Sequence, residues 1–348
     1  MKILVTGGTG FVGTNLLSEL VKEGHEVYCI DNFNQSEFNP EFHKDYKKIY
    51  CADIRNRDQM FKIFNEVKPD KVFHFGGLVS IYDCDREPHI AVQNNIEGSI
   101  NVLGATLNSG CNRIIFSETS AVYENCELPK NGYVETQSDP TTIYAVTKAS
   151  IALFAKSYER LRGLKYTALR YFNIAGPIQD YRRTVPPLFA GVALRLLGGN
   201  NPIIFGDGTR RRDFIHVDDI NKFHLMCINP KFENKTIGET FNLGRGESHS
   251  LFEISEIVYT YLKEKNLLDK YFKSHKDLEF DMFPEINGEA HTIFANIDKA
   301  KSIGWEPEKT IQDQIKDTVD YLLTEIEKGN VDPDKFMTNL KVQDVKIG

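Results

Sequence analysis

Tyr144 and Lys148 stand four residues apart in a helical pattern, so both side chains fall on one helix face. An ammonium beside a phenol favours the phenolate and lowers the tyrosine's pKa towards neutrality. A phenolate held in that way can take a proton from a hydroxyl group while hydride leaves the same carbon. The spacing alone proves nothing. With 15 Tyr and 28 Lys in 348 residues, about one such pair arises by chance, and Tyr259/Lys263 and Tyr261/Lys265 also match. Order along the chain separates them. Only Tyr144 follows a strand-like run that carries hydroxyls at its end, at Ser117, Thr119 and Ser120, and ligands of open α/β sheets bind at the carboxyl ends of strands.

The N-terminal run MKILVTGGTGFVGTNL points to a ligand. Residues 2–6 are apolar and β-branched, as in a buried parallel strand. Gly7, Gly10 and Gly13 follow, and then a helical apolar pattern at Leu16, Leu17, Leu20 and Val21. Gly7 permits the turn out of the strand, Gly10 lets backbone N–H groups approach a pyrophosphate, and Gly13 lets the helix pack closely. The helix N-terminus then faces the phosphates with its positive end. A dinucleotide is expected. A second strand-like run ends in Asp31, eighteen residues after Gly13. A carboxylate there accepts hydrogen bonds from ribose hydroxyls and repels a 2′-phosphate, and no Arg precedes Arg55 to neutralise one. NAD is therefore expected in place of NADP. Asp53-Ile54 follows the third strand, within reach of the adenine edge. Gly76-Gly77 follows the fourth and lets the dinucleotide pass close to the backbone.

These residues need a scaffold. Strand-like segments near 48–51, 71–75, 113–117 and 165–170 alternate with helical patterns near 58–66, 90–108 and 140–162. The alternation predicts an α/β fold with a Rossmann-type doubly wound parallel sheet. After Asn173 the alternation is broken by Pro177, Pro186, Pro187, Gly198, Gly199 and Pro202, and helical periodicity resumes at 248–262 and 313–326. The expected organisation is a cofactor domain over 1–173 with a return segment about 213–245. A smaller mixed α/β lobe is drawn from 174–212 and 246–330, and 331–348 reads as an extended or frayed tail. The net charge of −7 and a single basic cluster, Arg210-Arg211-Arg212, argue against a nucleic-acid surface. No apolar run reaches membrane-spanning length, and the first apolar run belongs to a strand and not to a secretion signal. The six Cys show no metal-ligand spacing, which suits reduced thiols in a cytoplasmic protein without a metal.

Ten pieces in this order resemble the extended short-chain dehydrogenase/reductases, specifically the NAD-dependent nucleotide-sugar epimerase/dehydratase family. They are TGGTGFVG (6–13), Asp31 with Asn32, Asp53-Ile54, HFGG (74–77), NNIEGS (94–99), FSETSAVY (116–123), YAVTK (144–148), LRYFNIAGP (169–177), GDGTRRRDFIHVDD (206–219) and NLGRGE (242–247). The resemblance implies that Thr119, Tyr144 and Lys148 carry the chemistry. It implies NAD contacts at Gly7, Gly10, Phe11, Val12 and Gly13, at Asp31, Asn32, Asp53 and Ile54, and at Phe75, Gly76 and Gly77. Asn95, Tyr144, Lys148 and Tyr171 complete that set, Asn95 by steadying the helix and strand around the site. A nucleoside-diphosphate sugar would meet Val79, Ser120, Asn173 and Arg212, the last two at its diphosphate. It also implies a homodimer built on the helices at 90–108 and 140–162, with Ile151, Leu153 and Phe154 as an apolar face.

Three departures narrow the implied chemistry. Dehydratases of this family carry acidic residues immediately after the catalytic Thr, where this chain has Ser120 and Ala121. Glu124 replaces the usual Gly after Val-Tyr, and Ile286-Asn287-Gly288-Glu289 replaces Arg-Pro-Gly-Glu. The expected activity is 4-epimerisation of a UDP-sugar through a transient 4-keto sugar. The alternatives are 2-epimerisation, decarboxylation or 4-dehydrogenation of a nucleotide sugar, with 4,6-dehydration disfavoured, or a non-catalytic NAD-sensing scaffold.

Overall fold

The computed structural model describes residues 1–182, 186–274, 277–285 and 290–336. Seven strands form one parallel sheet: β1 (Lys2–Thr6), β2 (Glu26–Asp31), β3 (Lys48–Cys51), β4 (Lys71–His74), β5 (Arg113–Thr119), β6 (Lys165–Tyr171) and β7 (Glu239–Leu243). Their order is β7-β6-β5-β4-β1-β2-β3. The chain therefore runs outward from β1 to β3, returns to the other side of β1, and continues to β6. The carboxyl ends of β1 and β4 mark the reversal, where such sheets bind ligands.

The helices are α1 (Phe11–Lys22), α2 (Arg57–Val67), α3 (Gly98–Asn108), α4 (Ile143–Arg162), α5 (Leu188–Leu197), α6 (Val217–Ile228), α7 (Leu251–Glu264) and α8 (Ile311–Glu327). Strand residues alternate between two cores, as the pleat requires. Ile3 and Val5 pack with Leu16, Leu20, Ile220 and Phe223 of α1 and α6. Leu4 packs on the opposite face with Met60, Phe64, Val102, Leu103 and Ala155 of α2, α3 and α4. A third core joins α5, α7 and α8 through Phe189, Leu194, Val258, Leu262, Val319 and Leu322. This second lobe returns to the sheet through α6 and through β7, which pairs with β6. At the amino end of β5, the buried guanidinium of Arg113 donates to the Cys227 carbonyl (3.0 Å) and to the hydroxyls of Thr167 (2.8 Å) and Thr236 (2.9 Å). It also pairs with Glu233 at 3.3 Å.

Three local expectations need correction. The helix expected over 90–108 is interrupted by a π-helical turn, Val92–Glu97, with an α-helical piece at Pro88–Ala91 before it. Such turns redirect side chains and occur often at functional sites. Ile151, expected on an exposed apolar face, is 2% exposed and packs on its own sheet. It lies three residues after Lys148 and shares the inward face of α4, whereas Leu153 is 71% exposed. The segment read as a tail begins docked: Val331 is buried and Phe336 packs on the second-lobe core, while residues 337–348 lie outside those described.

Candidate active site

Glycine is required at the reversal of the sheet. Gly7 has a φ of +68°, and a Cβ there would lie 2.7 Å from the backbone N of Gly76. A Cβ on Gly13 would lie 2.6 Å from the Cα of Gly8, so Gly13 sets how closely α1 packs on the turn. Gly10 is the N-cap of α1 and supplies no side-chain cap, and the first turn carries no acidic residue. That helix end thus keeps its positive dipole uncompensated by its own side chains, which favours an anion. A cleft of about 680 Å³ opens beside it, a size suited to a cofactor with its substrate. Gly7, Gly10, Phe11, Val12 and Gly13 form one wall, and Phe75, Gly76, Gly77 and Val79 form the next. A side chain at Gly7 or Gly13 would force this backbone apart, and the uncompensated helix end suits a pyrophosphate.

Asp31 ends β2 at the far end of the cleft. Its Oδ1 accepts the Phe33 N–H (3.0 Å) and the Ser36 hydroxyl (3.1 Å), and its Oδ2 accepts the Thr9 N–H (3.1 Å). A carboxylate offers about four lone-pair sites, so one on Oδ2 remains for a ribose hydroxyl. Among the described residues that line the cleft, the only cations are Lys148 and Arg212, so none stands beside Asp31 to receive a 2′-phosphate. Asp31→Ala should weaken NAD about 10–100-fold, the worth of a hydrogen bond to a charged group, and leave NADP affinity the same or higher. Calorimetric titration with both nucleotides checks this, and equal affinities in the unaltered protein would exclude the assignment.

Asn32 and Ile54 also line this end, but Asp53 does not. Its carboxylate is engaged by Arg55 (Nε 3.0 Å, Nη2 2.6 Å) and by the Asn32 amide (3.2 Å), and the Arg55 bonds hold its pKa below the usual range. Asp53 therefore orients Asn32. Asn95 is likewise absent from the lining and is 1% exposed. From the π turn its Oδ1 accepts the Leu78 N–H (2.7 Å), and its Nδ2 donates to the Leu78 carbonyl (3.0 Å) and to Thr147 (3.0 Å). It ties the 77–79 segment to α4 beside Lys148. Its polar atoms are spent within the protein.

The end of β5 meets the start of α4. Thr142 caps α4, Tyr144 is its second residue, and Lys148 follows one turn later. Lys148 is 3% exposed and donates to Ser117 Oγ at 2.9 Å. Burial pushes its pKa down to about 8, opposed by the charge of Glu118. Thr119 Oγ1 accepts the Ala121 N–H at 3.2 Å, which leaves its own proton for another acceptor. Ser117, Thr119, Ser120, Tyr144 and Lys148 all line one stretch of the cleft. Tyr171 lines it too, with its hydroxyl bonded to His224 Nε2 at 2.6 Å. The chance pairs lie elsewhere: Tyr259 and Tyr261 sit on α7, and their hydroxyls donate to the Ser274 carbonyl (2.9 Å) and to Asp320 (2.7 Å).

On the second-lobe side, Asn173 and Arg212 reach the cleft. The Asn173 amide donates to the Asp213 carbonyl (3.0 Å), and the Arg212 guanidinium to the carbonyls of Arg211 (3.0 Å) and His291 (3.2 Å). Asp213 is buried, and its carboxylate accepts N–H groups of Arg245, Gly246 and Ala295, with burial raising its pKa to about 7. Residues 286–289, where the Arg-Pro-Gly-Glu departure falls, lie outside those described.

Sequence reasoning missed a buried ion pair between Glu118 of β5 and Arg170 of β6, which face each other in register. Arg170 also donates to Tyr123 Oη (3.0 Å) and to the carbonyls of Glu135 (2.9 Å) and Gln137 (3.0 Å). A charged residue inside each of two neighbouring apolar strands was the available signal.

Three kinds of comparison with known proteins agree with this geometry. The family model described as "NAD dependent epimerase/dehydratase family" matches residues 3–244. A UDP-glucose 4-epimerase of Corynebacterium glutamicum is 30% identical over 322 residues, covering 89% of this chain and 92% of its own. The solved UDP-glucose 4-epimerase of Thermotoga maritima, with UDP-glucose, superposes with a TM-score of 0.83 at 30% identity, covering 94% of this chain and 100% of that one. That of Thermus thermophilus, in complex with NAD, gives 0.80 at 26% identity, covering 93% and 99%. A match over most of the chain, on a fold whose glycine cradle accepts a pyrophosphate, places this protein in the NAD-dependent epimerase/dehydratase family, with NAD as its cofactor.

Proposed function

We propose that this chain epimerises a UDP-sugar at C4. One observation carries the reading: Thr119, Tyr144 and Lys148 line a single stretch of the cleft, and the residues after Thr119 are Ser120 and Ala121. Tyr144 takes the proton of the C4 hydroxyl and later returns it. Thr119 donates its hydroxyl proton to the same sugar oxygen, since its lone pair already serves Ala121. Lys148, charged below pH about 8, favours the phenolate form of Tyr144 and is held by Ser117. NAD, held along Gly7, Gly10, Gly13 and Asp31, would supply reversible hydride transfer at C4 when bound. Arg212 and Asn173 hold the diphosphate from the rim. The second-lobe wall presents Pro187, Leu188, Phe189, Phe214 and Leu251, and so few directional bonds from this side oppose turning of the keto sugar. In this reading residues 1–173 with about 213–245 hold the cofactor, and 174–212 with 246–330 hold the sugar nucleotide. Elimination of water needs a carboxylate immediately after Thr119, where this chain has Ser120 and Ala121, and the carboxylates that do line the cleft, Glu118 and Glu124, are engaged by Arg170 and Thr142.

The test is a panel of UDP-, GDP-, CDP- and dTDP-sugars incubated with the protein without added cofactor, with products followed by NMR. The expected result is interconversion of a UDP-sugar and its C4 epimer, with no other nucleotide matching its rate. Accumulation of a 4-keto-6-deoxy sugar would overturn the reading.

We also propose a cytoplasmic homodimer. Val146, Leu153, Phe154 and Leu161 leave an exposed apolar stripe along α4, and Ile90 and Val92 extend it. Two copies pairing these faces would bury them in a four-helix contact. Light scattering at micromolar concentration should give twice the mass of the chain, and Leu153→Asp should shift it to the monomer. A monomeric unaltered protein would exclude the pairing. No helix among the described residues is long and apolar enough to cross a membrane.

A further inference from the structure

Glu124 directly follows the short 3₁₀ turn Ser120–Tyr123, and its side chain borders the cleft. Its Oε2 accepts the backbone N–H groups of Thr141 (3.0 Å) and Thr142 (2.8 Å), and its Oε1 accepts the Thr142 hydroxyl (3.0 Å). Thr142 is the residue that caps α4, where its hydroxyl also accepts the Ala145 N–H at 3.3 Å. One carboxylate thus spans two segments. The turn that begins at Thr119 lies on one side, and the helix start that carries Tyr144 lies on the other.

The surroundings show that this joint is built. The α4 helix has no acidic residue in its own first turn, and two carboxylates from elsewhere serve its start: Glu124, and Asp85, which accepts the Ile143 N–H at 3.2 Å. Negative charge at a helix N-terminus with direct N–H contacts is among the stronger kinds of hydrogen bonding. Outside the joint a second clasp closes the same loop. The Asp139 N–H donates to the Val122 carbonyl (2.8 Å), and the Asn125 amide donates to Asp139 (2.7 Å). The outer clasp brings residues 122–125 and 139–142 together without fixing α4 itself. Among the described residues, Glu124 is the carboxylate that bonds the cap residue Thr142.

We propose that Glu124 is a positioning residue for the reaction: it sets the separation between the Thr119 hydroxyl and the Tyr144 phenol, which must reach the same sugar oxygen. This rests on the epimerase reading above for its kinetic consequence. Two groups converging on one atom tolerate little error, and a displacement of about 1 Å can cost about 100-fold in rate. What the joint needs is reach and one oxygen that accepts both the Thr141 and Thr142 N–H groups, and not charge for its own sake.

Three variants separate reach from charge. Glu124→Gln keeps the length and an accepting oxygen, Glu124→Asp keeps the charge but is one methylene short, and Glu124→Ala removes both. We expect Asp and Ala to lower kcat about 10–100-fold, with KM for the UDP-sugar within about twofold and NAD content unchanged. Gln should stay within about threefold of the unaltered enzyme. Amide hydrogen exchange at Thr141 and Thr142, measured on the protein without substrate, should be faster in Asp and Ala by about tenfold or more and near the unaltered rate in Gln. Full kcat in Ala, an active Asp beside an inactive Gln, or loss of NAD together with a raised KM would each overturn the proposal. Should Ala fail to fold, the Asp and Gln pair decides. If the unaltered protein turns over no UDP-sugar, the epimerase reading fails. The exchange rates then still judge the joint, and equal rates in all variants would refute it.

Discussion

Tyr144→Phe should lower turnover about 10²–10⁴-fold, the usual cost of losing a general base, while the protein keeps its NAD. The ring that packs at the start of α4 is retained, and only the proton acceptor is lost. The turn between β1 and α1 with Gly7 and Gly10, Gly13 in α1, and Asp31 at the end of β2 are proposed to hold the nucleotide and lie apart from α4, so the nucleotide content of the purified variant should match the unaltered protein. Tyr261→Phe is the control. Its hydroxyl bonds Asp320 on the second lobe, and turnover should remain intact. The measurement is initial epimerisation rate together with nucleotide released on denaturation. Undiminished turnover in Tyr144→Phe would remove the mechanism.

A second large effect is expected behind the same strand. Arg170→Met leaves Glu118 buried without its cation, and breaking one side of such a pair costs about 3–5 kcal/mol. At this chain length the melting temperature should fall by roughly 4–7 °C. The pH dependence carries a definite sign. Burial already raises the Glu118 pKa above its ordinary value, and Arg170 opposes that rise. Without Arg170 the folded-state pKa climbs further above the unfolded value of about 4.3. The folded chain then binds more protons than the unfolded one across that window, so stability falls as pH rises through it. The variant should therefore lose less stability at pH 5 than at pH 8. Adding Glu118→Gln should restore most of the loss at pH 8, because no unpaired charge remains. Thermal scans of the single and double variants at both pH values check this. A single variant that melts with the unaltered protein would show that the pair does not hold β5 to β6.

The cofactor half was legible because its signals are local. Gly13 answers to the backbone of Gly7 and Gly8 a few residues away, and Asp31 ends the strand beside them, so spacing along the chain carries most of the geometry, although Gly7 also meets the distant backbone of Gly76. Tyr144 and Lys148 were legible only through order, since two other pairs share their spacing. What escaped was set by partners distant in sequence. Glu118 and Arg170 meet across neighbouring strands, and Asn95 turns inward because a π-helical turn rotates it towards Leu78. Asp53 is the exception, because the partner that engages its carboxylate, Arg55, stands only two residues on. Ile151 was misread by phase. On α4 Lys148, Ile151 and Ala155 share the inward face, and a periodic pattern alone does not say which stripe meets the sheet.

The buried guanidinium of Arg113 makes the cofactor half inseparable from the rest of the chain. It stands at the amino end of β5, yet the Cys227 carbonyl and the Thr236 hydroxyl that satisfy it arrive more than a hundred residues later. A fragment ending near residue 173 would keep the cation and its bond to Thr167 but lose those acceptors and the Glu233 carboxylate, together with the segment that covers it. The same cut would take β7 from β6 and open a strand edge to self-association. The nucleotide-binding half is therefore not a cassette.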